Sequence, residues 1–447
     1  MRTFQDWEKA NTSEESRMQF ILAAINDYKQ SSDYKEAKDG EAYFDGENTT
    51  IKRYEKILFN ALGQAIPDLV SANHKLATRF FYRDVTQSVS VLLGNGITWA
   101  NGKGADAFGK KFDSIVVKAA RIAQVQGVAY GFFNDGKVHI YERLEFIPLK
   151  DEEDGSIKAG IRFWQIANNK PMRCTMYEMD GFEEYEFENG NGSIKAPKRA
   201  YIIKKNVYED GTEEIYDESN YPNFPIVPLY ANDKHRSELV PIRPKIDARD
   251  LIASGYANDV DDASIIYWTI TNSGGMDDAD LVQMIDKLRK LHATQVDGDV
   301  NLQSHSVEPS YQGREAILSR LDEDLYKDSM MLDTYSLASG AVTATQIIAA
   351  YEPLNEKLDI QETHISDWIM DLLELAGVED SATYERSIMV NKSEEIQNVV
   401  NSALYLSPEY VTEKIITLMG DKDKLAEVEK GMAQNALDRF ANGATGE

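Results

Sequence analysis

The stretch FPIVPLYANDKHRSELVPIRPKIDARDLIASGYANDVDDA, residues 224–263, marks a change of secondary structure along the chain. It opens with a short apolar run that contains two prolines, 224–228, which is typical of the end of a sheet region. Ser237, followed by Glu238, is then predicted to cap a helix that continues to Ala263, with no proline after Pro244.

The region before this boundary, residues 127–230, is predicted to form a mainly antiparallel sheet. Short runs rich in Tyr, Phe, Ile and Val alternate with dipeptides that favour tight hairpin turns. These turn signals are Asn134-Asp135-Gly136, Asp154-Gly155, Asp180-Gly181, Asn189-Gly190 and Asp210-Gly211. Nearer the N-terminus, apolar periodicity predicts helices over residues 1–30, over 51–93 with a break at Pro67, and over 108–126, with a polar loop between the first two.

A small insertion follows the predicted helix 237–263. Its pattern predicts a strand at 265–270, a helix from 277 to 292 and two strands between 294 and 307. A second long helix is predicted at 313–333. Two long helices that bracket a small α/β unit have the shape of a stalk with a knob.

An uncharged segment of small residues, 334–342, separates the second long helix from a third one. Thr343-Ala344-Thr345-Gln346 has the pattern of a capping box, which predicts that a helix begins there and runs to Ala376. Pro353 is predicted to kink this helix. One basic residue, Lys357, stands among seven acids between Glu352 and Glu374. A strand near 384–390 and helices that begin at Ser393, Ser407 and Asp421 complete the prediction.

Composition limits the class of protein. The chain has 447 residues, of which 42% are hydrophobic, and a net charge of −27. The single cysteine, Cys174, excludes an internal disulfide and a Cys-rich zinc site. No apolar run is long enough to cross a bilayer, and the first residues lack the apolar core of a signal peptide, so neither a membrane partner nor secretion is expected. We expect a reducing cytosol, or a particle assembled there.

Sequence motifs of common enzymes and cofactors are absent. The stretch Gly102-Lys103-Gly104 lacks the hydroxyl residue and the upstream glycine of a P-loop. The six histidines are scattered, and there is no G-x-S-x-G nucleophile turn. The sequence therefore predicts a protein that is not an enzyme and has no cofactor.

One partial metal motif lies in the insertion. Asp297, Asp299, Asn301 and Glu308 occupy positions 1, 3, 5 and 12 of an EF-hand loop. Position 6, where the sharp turn needs glycine, is Leu302. A calcium site is thus a weak candidate beside the simpler interpretation of an acidic hairpin.

Basic residues form local clusters in this acidic chain. In the insertion they are Lys287, Arg289, Lys290 and His292; two other clusters are Lys110, Lys111, Lys118 and Arg121, and Arg243, Lys245 and Arg249. Each cluster could contact phosphates, or could simply pair with nearby acids. The sequence leaves these two possibilities open.

The order of these features resembles that of portal proteins of long-tailed double-stranded DNA bacteriophages, the head-to-tail connector family. The resemblance extends over residues 20–430 and is carried by diffuse motifs in a shared order. They are Asn73-His74-Lys75-Leu76 through Val91-Leu92-Leu93-Gly94; Gly127-Val128-Ala129-Tyr130 with Asp135-Gly136 and Phe146-Ile147-Pro148; Phe224-Pro225-Ile226-Val227-Pro228, Asn232, Ser237-Glu238-Leu239, Ile246-Asp247-Ala248 and Ser254 to Asn258-Asp259; Ser339-Gly340; and Leu406-Ser407-Pro408-Glu409.

The resemblance implies an α+β portal architecture, with an α/β wing, a two-helix stem, a small α/β clip, a kinked long helix and a helical C-terminal crown. It implies the following parts: wing 1–236, stem helix 237–263, clip 264–312, stem helix 313–333, tunnel loop 334–346, long wing helix and strand 347–392, and crown 393–447. Tunnel-loop residues that would meet DNA are Ser336, Leu337, Ser339, Gly340, Ala341, Val342 and Thr343. In the clip, Lys287, Arg289, Lys290 and His292 would dock the motor or the adaptor.

The resemblance also implies a function and partners. Twelve copies are expected to form a ring at one vertex of the capsid in the virion, made in the cytoplasm of the host bacterium, through which double-stranded DNA is packaged and ejected. The expected partners are the terminase large subunit, the major capsid and scaffolding proteins and the head-completion adaptor. Two other functions stay open: an acidic scaffold or adaptor ring of another assembly, and a hydrolase that uses paired carboxylates.

Overall fold

The computed structural model describes residues 2–59, 62–68, 72–188, 190–208, 213–263, 267–271, 277–291, 301–305, 311–338, 344–387, 392–420, 424, 425 and 428. Helices and strands both contribute extensively to this part of the chain, so the predicted mixed α+β class is confirmed. None of the described helices combines the length and apolar character that a membrane crossing needs.

The N-terminal part contains more, shorter elements than the periodicity predicts. The elements are α1 (Phe4–Ala10), α2 (Glu14–Gln30), α3 (Ser32–Phe44), α4 (Thr49–Arg53), β1 (Ile57–Phe59), β2 (Ala65–Pro67), α5 (Phe80–Leu93), β3 (Ile97–Trp99), α6 (Lys103–Phe108) and α7 (Phe112–Gln126). The predicted single helix 1–30 is two helices, because the Ser13 hydroxyl accepts a hydrogen bond from the Ser16 amide and starts a new one. Ser31 restarts the chain as α3 in the same way, where a loop was predicted.

The helix predicted over 51–93 is present at residues 51–53, the end of α4, and at residues 80–93, in α5, but the prediction is wrong for the described residues between them. β1 and β2 form an antiparallel hairpin there, and Gly63 at its turn has a positive φ of 73°. Residues 72–79 continue as extended chain before α5 begins at Phe80. Apolar residues in this segment are spaced for a helix, but Gly63 and Pro67 both disfavour one.

The predicted antiparallel sheet over residues 127–230 is confirmed. Its strands are β4 (Val128–Asn134), β5 (Lys137–Glu142), β6 (Phe146–Lys150), β7 (Ile157–Trp164), β8 (Met172–Glu178), β9 (Gly181–Glu188), β10 (Asn191–Arg199), β11 (Ile202–Val207), β12 (Glu213–Ser219) and β13 (Ile226–Tyr230). They form a five-stranded meander in the order β10-β9-β8-β7-β6, a hairpin of β11 and β12, and a three-stranded sheet β13-β4-β5. Asp135 and Gly136 both have positive φ at the β4–β5 turn, as a type I′ hairpin requires.

The C-terminal half is mainly helical. It comprises α8 (Leu239–Ala263), β14 (Tyr267–Thr271), α9 (Asp278–Leu291), β15 (Asn301–His305), α10 (Tyr311–Asp328), α11 (Thr334–Ala338), α12 (Ala344–Ala376), β16 (Ala382–Tyr384), α13 (Lys392–Ser402) and α14 (Pro408–Met419). The long helices lie close to their predicted positions, although α10 ends five residues early. β16 pairs with β3, which is far away in sequence, and among the described residues it shares only Tyr384 with the strand predicted near 384–390.

The main apolar core lies where α5, α7 and α12 pack on the sheet β13-β4-β5. Trp368 of α12 is 1% exposed, and its indole N–H donates to the Val227 carbonyl at 3.1 Å. The ring lies against Gly131 of β4, where a Cβ atom would stand only 2.6 Å from Trp368 Cζ2. A second core joins α1 and α2 to the five-stranded meander.

Candidate functional site

The predicted stalk is present as an antiparallel pair of long helices, α8 and α10. Three ion pairs join them: Arg249 Nε lies 2.6 Å from Asp322 Oδ1, Lys245 Nζ lies 2.5 Å from Asp328 Oδ2, and Arg314 pairs with Asp259. The residue numbers rise along α8 as they fall along α10, which shows the antiparallel register. These contacts hold the ends of the insertion between the helices near each other.

One face of α8 anchors the extended segment 72–79. The side chains of Asp250, Ser254 and Asn258 accept hydrogen bonds from the backbone amides of Thr78, Leu76 and His74, at 3.1, 2.9 and 2.6 Å. Four residues of helix rise about 6.0 Å and two residues of extended chain about 6.6 Å, so acceptors at every fourth position match donors at every second one. This geometry gives a structural reason for the Ser254 to Asn258 motif.

Asp250 is the most buried member of this anchor. It is fully buried, and it also accepts a hydrogen bond from the Asn48 side chain at 3.0 Å. Burial raises the pKa of Asp250, whereas the hydrogen bonds from Asn48 and Thr78 and the charge of Arg249 act in the opposite direction. Asp250 was not predicted as a site residue, although it lies four residues before Ser254, and this spacing is a usable signal.

We call the part of the protein that surrounds the two apolar cores the body. A buried ion pair joins one end of the helix pair to the main core of this body. Lys357 Nζ of α12 donates to Asp84 Oδ1 of α5 at 2.9 Å and to the Ser329 carbonyl, just after α10, at 3.1 Å. Glu238, just before α8, lies 4.0 Å from the same ammonium. The Lys357 ammonium of α12 thus contacts α5, the residue that follows α10 and the residue that precedes α8. The sequence signal was visible as the lone lysine among the acids of this helix, but its role was not predicted.

The electrostatics of this ion pair are set by burial. The side chains of Lys357 and Asp84 are 9% and 1% exposed. Burial raises the pKa of Asp84, while the Lys357 ammonium lowers it and Glu238 raises it. The Lys357 ammonium thus favours the charged form of a carboxyl group whose burial favours the protonated form.

The predicted small unit at the far end of the helix pair is described in part. β14 and β15 form an antiparallel pair in which Tyr267 lies opposite His305, and α9 lies between them in the chain. Lys287, Arg289 and Lys290 fall in the last turns of α9. His292 lies outside the described residues.

The weak metal candidate is not brought together by the described chain. Asn301 begins β15, opposite Thr271, whereas Asp297, Asp299 and Glu308 lie outside the described residues. Within the part of the chain that the structure describes, no group of three or more His, Cys, Asp and Glu side chains is arranged to hold a metal ion.

The segment predicted as an uncharged loop, 334–342, is partly helical. Asp333 Oδ1 accepts a hydrogen bond from the Tyr335 amide at 3.0 Å, which caps the short helix α11. Ser336 lies within α11, and Leu337 is half-buried against the main core. The remaining predicted channel residues, Ser339, Gly340, Ala341, Val342 and Thr343, lie outside the described residues. Helix α12 is continuous through Pro353.

The basic cluster at the start of α8 is paired with acids. Arg243 Nη1 lies 2.6 Å from Asp39 Oδ2, and Lys245 and Arg249 form the helix-pair contacts given above. For this cluster, charge pairing was the correct alternative. By contrast, Lys110, Lys111 and Lys118 are exposed on the body of the protein.

Comparison with known proteins identifies the family. The family model described as phage portal protein, SPP1 Gp6-like, matches residues 25–436. The portal protein of Clostridium phage phiCD119 is 25% identical over 193 residues, which cover 41% of this chain and 43% of that protein. The matched segment thus spans less than half the length of this curated relative.

Two solved structures are similar to most of the chain. One is a chain in the neck of an empty gene transfer agent (GTA) particle, with a TM-score of 0.47, 11% identity and coverage of 76% of this chain and 90% of that one. The other comes from the virion of a native gene transfer agent particle, with a TM-score of 0.44, 12% identity and coverage of 76% and 89%. Because the family model covers most of the sequence, the chain belongs to the phage portal protein family, SPP1 Gp6-like, as its sequence motifs predicted.

Proposed function

We propose that twelve copies of the chain form a ring at one vertex of a phage capsid, in which the central channel admits double-stranded DNA during packaging and ejection. The observation that carries this proposal is the family match over residues 25–436. The helix pair α8–α10 with its small terminal unit supports it. In this proposal the protein is a virion component made in the host cytoplasm.

The parts of the chain then take roles in the ring. The helices and sheets of residues 1–236 form the wing together with α12 and β16, and α8 and α10 form the stem. The unit within 264–312 is the clip, which docks the terminase large subunit and later the head-completion adaptor. Residues 334–346 approach the DNA, and the C-terminal residues 393–447 form the crown. Capsid and scaffolding proteins contact the wing.

The charge of the chain suits a channel through which DNA slides. Twelve copies at −27 each would carry about −324 before counterions bind. Each phosphate that a basic residue neutralises releases counterions and tightens binding, so a strongly basic channel would hold the duplex. An acidic wall repels the duplex from all sides, over a distance of about 8–10 Å at moderate salt. This role requires no reaction, and we propose that the protein is not an enzyme and that ATP hydrolysis belongs to the motor.

Assembly and packaging test this function directly. Images of the purified protein and its mass in solution should show closed rings, and particles lacking the protein should fail to retain packaged DNA. A persistent monomer under all assembly conditions would contradict the proposal. Rings that are dispensable for DNA retention would favour an acidic scaffold ring instead. Loss of a measured hydrolytic activity on removal of single carboxylates would favour a hydrolase.

The tunnel-loop assignment predicts a separation of packaging from assembly. Replacing both Ser339 and Gly340 with tryptophan should lower the yield of packaged DNA about tenfold or more, because the indole side chains would narrow the channel at the loop. Each added barrier of about 1.4 kcal/mol to DNA movement slows packaging about tenfold. Rings should still assemble. The matched control replaces both residues with alanine and should package normally. Normal packaging by the tryptophan variant would refute the assignment.

The clip assignment predicts weaker motor binding after charge reversal in α9. Changing Lys287, Arg289 and Lys290 to glutamate should raise the Kd for the terminase large subunit about tenfold or more, because docking of complementary charges is lost. The control reverses the charges of Lys110, Lys111 and Lys118, which lie on the body and should leave that Kd unchanged. Equal effects of the two triple variants would exclude a specific role for α9.

A further inference from the structure

Exposed apolar side chains lie on the basic segment between α4 and α5. We define the arm as the described residues 52–59, 62–68 and 72–79, which run from the end of α4 through the β1–β2 hairpin and back along α8. Six of its apolar side chains are more than two-fifths exposed, among them Phe59 at 74% and Leu62 at 83%. Isolated hairpins of this size are marginally stable in water, and exposed apolar groups of this density mark interaction surfaces.

Both faces of the hairpin are uncovered. Ile57 and Phe59 point to one face of β1 and Leu58 to the other, because successive side chains alternate along a strand. The three are 58%, 74% and 45% exposed. Among the described residues, none of the arm's apolar side chains contributes to the main core, to the second core or to a third apolar cluster that includes Tyr130, Phe146 and Phe224. The returning segment, 72–79, is anchored through its hydrogen bonds to α8.

The charge of the arm is opposite to that of the chain. The arm contains five Lys or Arg residues and two acids, whereas the whole chain carries −27. A partner that fits the arm must therefore combine exposed apolar groups with negative charge. The large exposed apolar groups favour a protein surface over a nucleic acid, and a second copy of this acidic chain offers the complementary charge.

The outer face of α12 has the matching chemistry. We define this face by Glu352, Glu356, Ile360, Asp367, Met370 and Asp371, which follow a helical stripe and are exposed. Ile360 and Met370 are 53% and 54% exposed between the acids. The one basic residue of the helix, Lys357, points the other way and is buried against Asp84.

The acids of this face are close enough to repel one another. Partial burial raises the pKa of Asp371, and the neighbouring Glu374 and Asp367 raise it further. A basic partner laid along the stripe would relieve this repulsion. The two apolar residues would at the same time be removed from water.

We propose that the arm of each copy packs on the outer face of α12 of a neighbouring copy. The two surfaces differ, so the contact is heterologous and repeats head to tail, which closes into a ring when the rotation between copies allows it. This inference rests on the proposed ring and names one of the contacts that close it.

Cysteine trapping tests the contact. The native Cys174 is buried, and burial raises the pKa of its thiol to about 12, so it should not react. In the F59C/M370C double variant, oxidation of assembled rings should give a ladder of covalent multimers on a denaturing gel. F59C and M370C alone should not. The matched control, I166C/M370C, places its first thiol at an equally exposed position, since Ile166 is 86% exposed, and should give no ladder.

The outcomes separate this inference from the proposed function. Rings that form but give no F59C/M370C ladder, or the same ladder with I166C/M370C, would overturn the arm contact and leave the ring intact. A wild-type chain that never forms rings would overturn the proposed function itself. A ladder only in F59C/M370C supports both.

Charge exchange gives a second, independent readout. R53E and D371R should each reduce ring formation, and their combination should restore it, because the opposite charges would again face each other. Substitution of Phe59 and Leu62 with serine should weaken association about tenfold or more, while serine at Ile166 should not. Additive losses in R53E/D371R, or unchanged assembly of the serine variant, would contradict the proposal.

Discussion

The body and the helix pair both contain ion pairs, but burial gives them different weight. In the body, Lys357 and Asp84 are almost removed from water. In the helix pair, Lys245 and Asp328 keep 34% and 42% of their side-chain surface exposed. Water and salt screen the second pair but hardly reach the first. We therefore expect the body to respond to substitutions as one cooperative unit and the helix pair to tolerate them.

The largest effect is expected for K357M. This variant leaves Asp84 buried without its cation, and should lower the free energy of unfolding by about 3–5 kcal/mol, measured by urea denaturation. Combining it with D84N should restore much of the loss, because the uncompensated charge is removed. A loss below about 1 kcal/mol for K357M would contradict the importance of this pair.

The pH dependence of this loss has a definite sign. Burial raises the folded-state pKa of Asp84 above its ordinary value, and removal of Lys357 raises it further. A carboxyl with a raised folded-state pKa takes up a proton more readily in the folded than in the unfolded state. The deficit of K357M relative to the unmodified chain should therefore be largest above the raised pKa of Asp84 in that variant and shrink as the pH falls through it. A deficit that grows on acidification would contradict this assignment.

Alanine substitutions at two glycines should change the free energy of unfolding by intermediate amounts and in opposite directions. G131A should lower the free energy of unfolding by about 1–3 kcal/mol, because its Cβ would stand 2.6 Å from Trp368 Cζ2 in a packed core. G255A, in α8, should raise it by about 0.5–1 kcal/mol, since a Cβ there meets nothing within 4 Å and alanine favours the helix. Thermal unfolding measures both. Equal effects of the two substitutions would erase the distinction between body and helix pair.

The smallest effect is expected for K245A. Loss of its partly exposed contact with Asp328 should cost about 0.2–1 kcal/mol, and the cost should decline as salt is added. A double-mutant cycle with D328A isolates the pair from the packing of the lysine stem. A coupling energy as large as that of the Lys357 pair would show that the helix pair is also rigidly buried in the assembled protein.

The long helices and the antiparallel sheet could be predicted because their signals are local. The turn dipeptides, the cap at Ser407 and the apolar stripe of α12 each act within a few residues of sequence. The hairpin of β1 and β2 was misassigned as helix because the apolar spacing there resembles that of a helix, whereas Gly63 and Pro67 disfavour one. The short helix α11 was not predicted, because segment 334–342 was interpreted from its lack of charge and not from the cap that Asp333 provides.

The candidate site was predicted at the level of its parts but not of its contacts. The motif at Ser254 and Asn258 pointed to the family, yet its anchoring role depends on residues 74–78, about 180 positions earlier in the chain. Lys357 stood out as a lone cation, but nothing nearby in sequence indicates its partner Asp84.

The sequence by itself determined the order of the parts and the strong negative charge, because periodicity, turn chemistry and composition are properties of short segments or of the whole count. Only the tertiary structure decided which charges are buried and which surfaces are left uncovered. Burial depends on contacts between distant segments, and it is burial that makes Lys357 structurally decisive and leaves the apolar arm and the acidic face of α12 available to a neighbour.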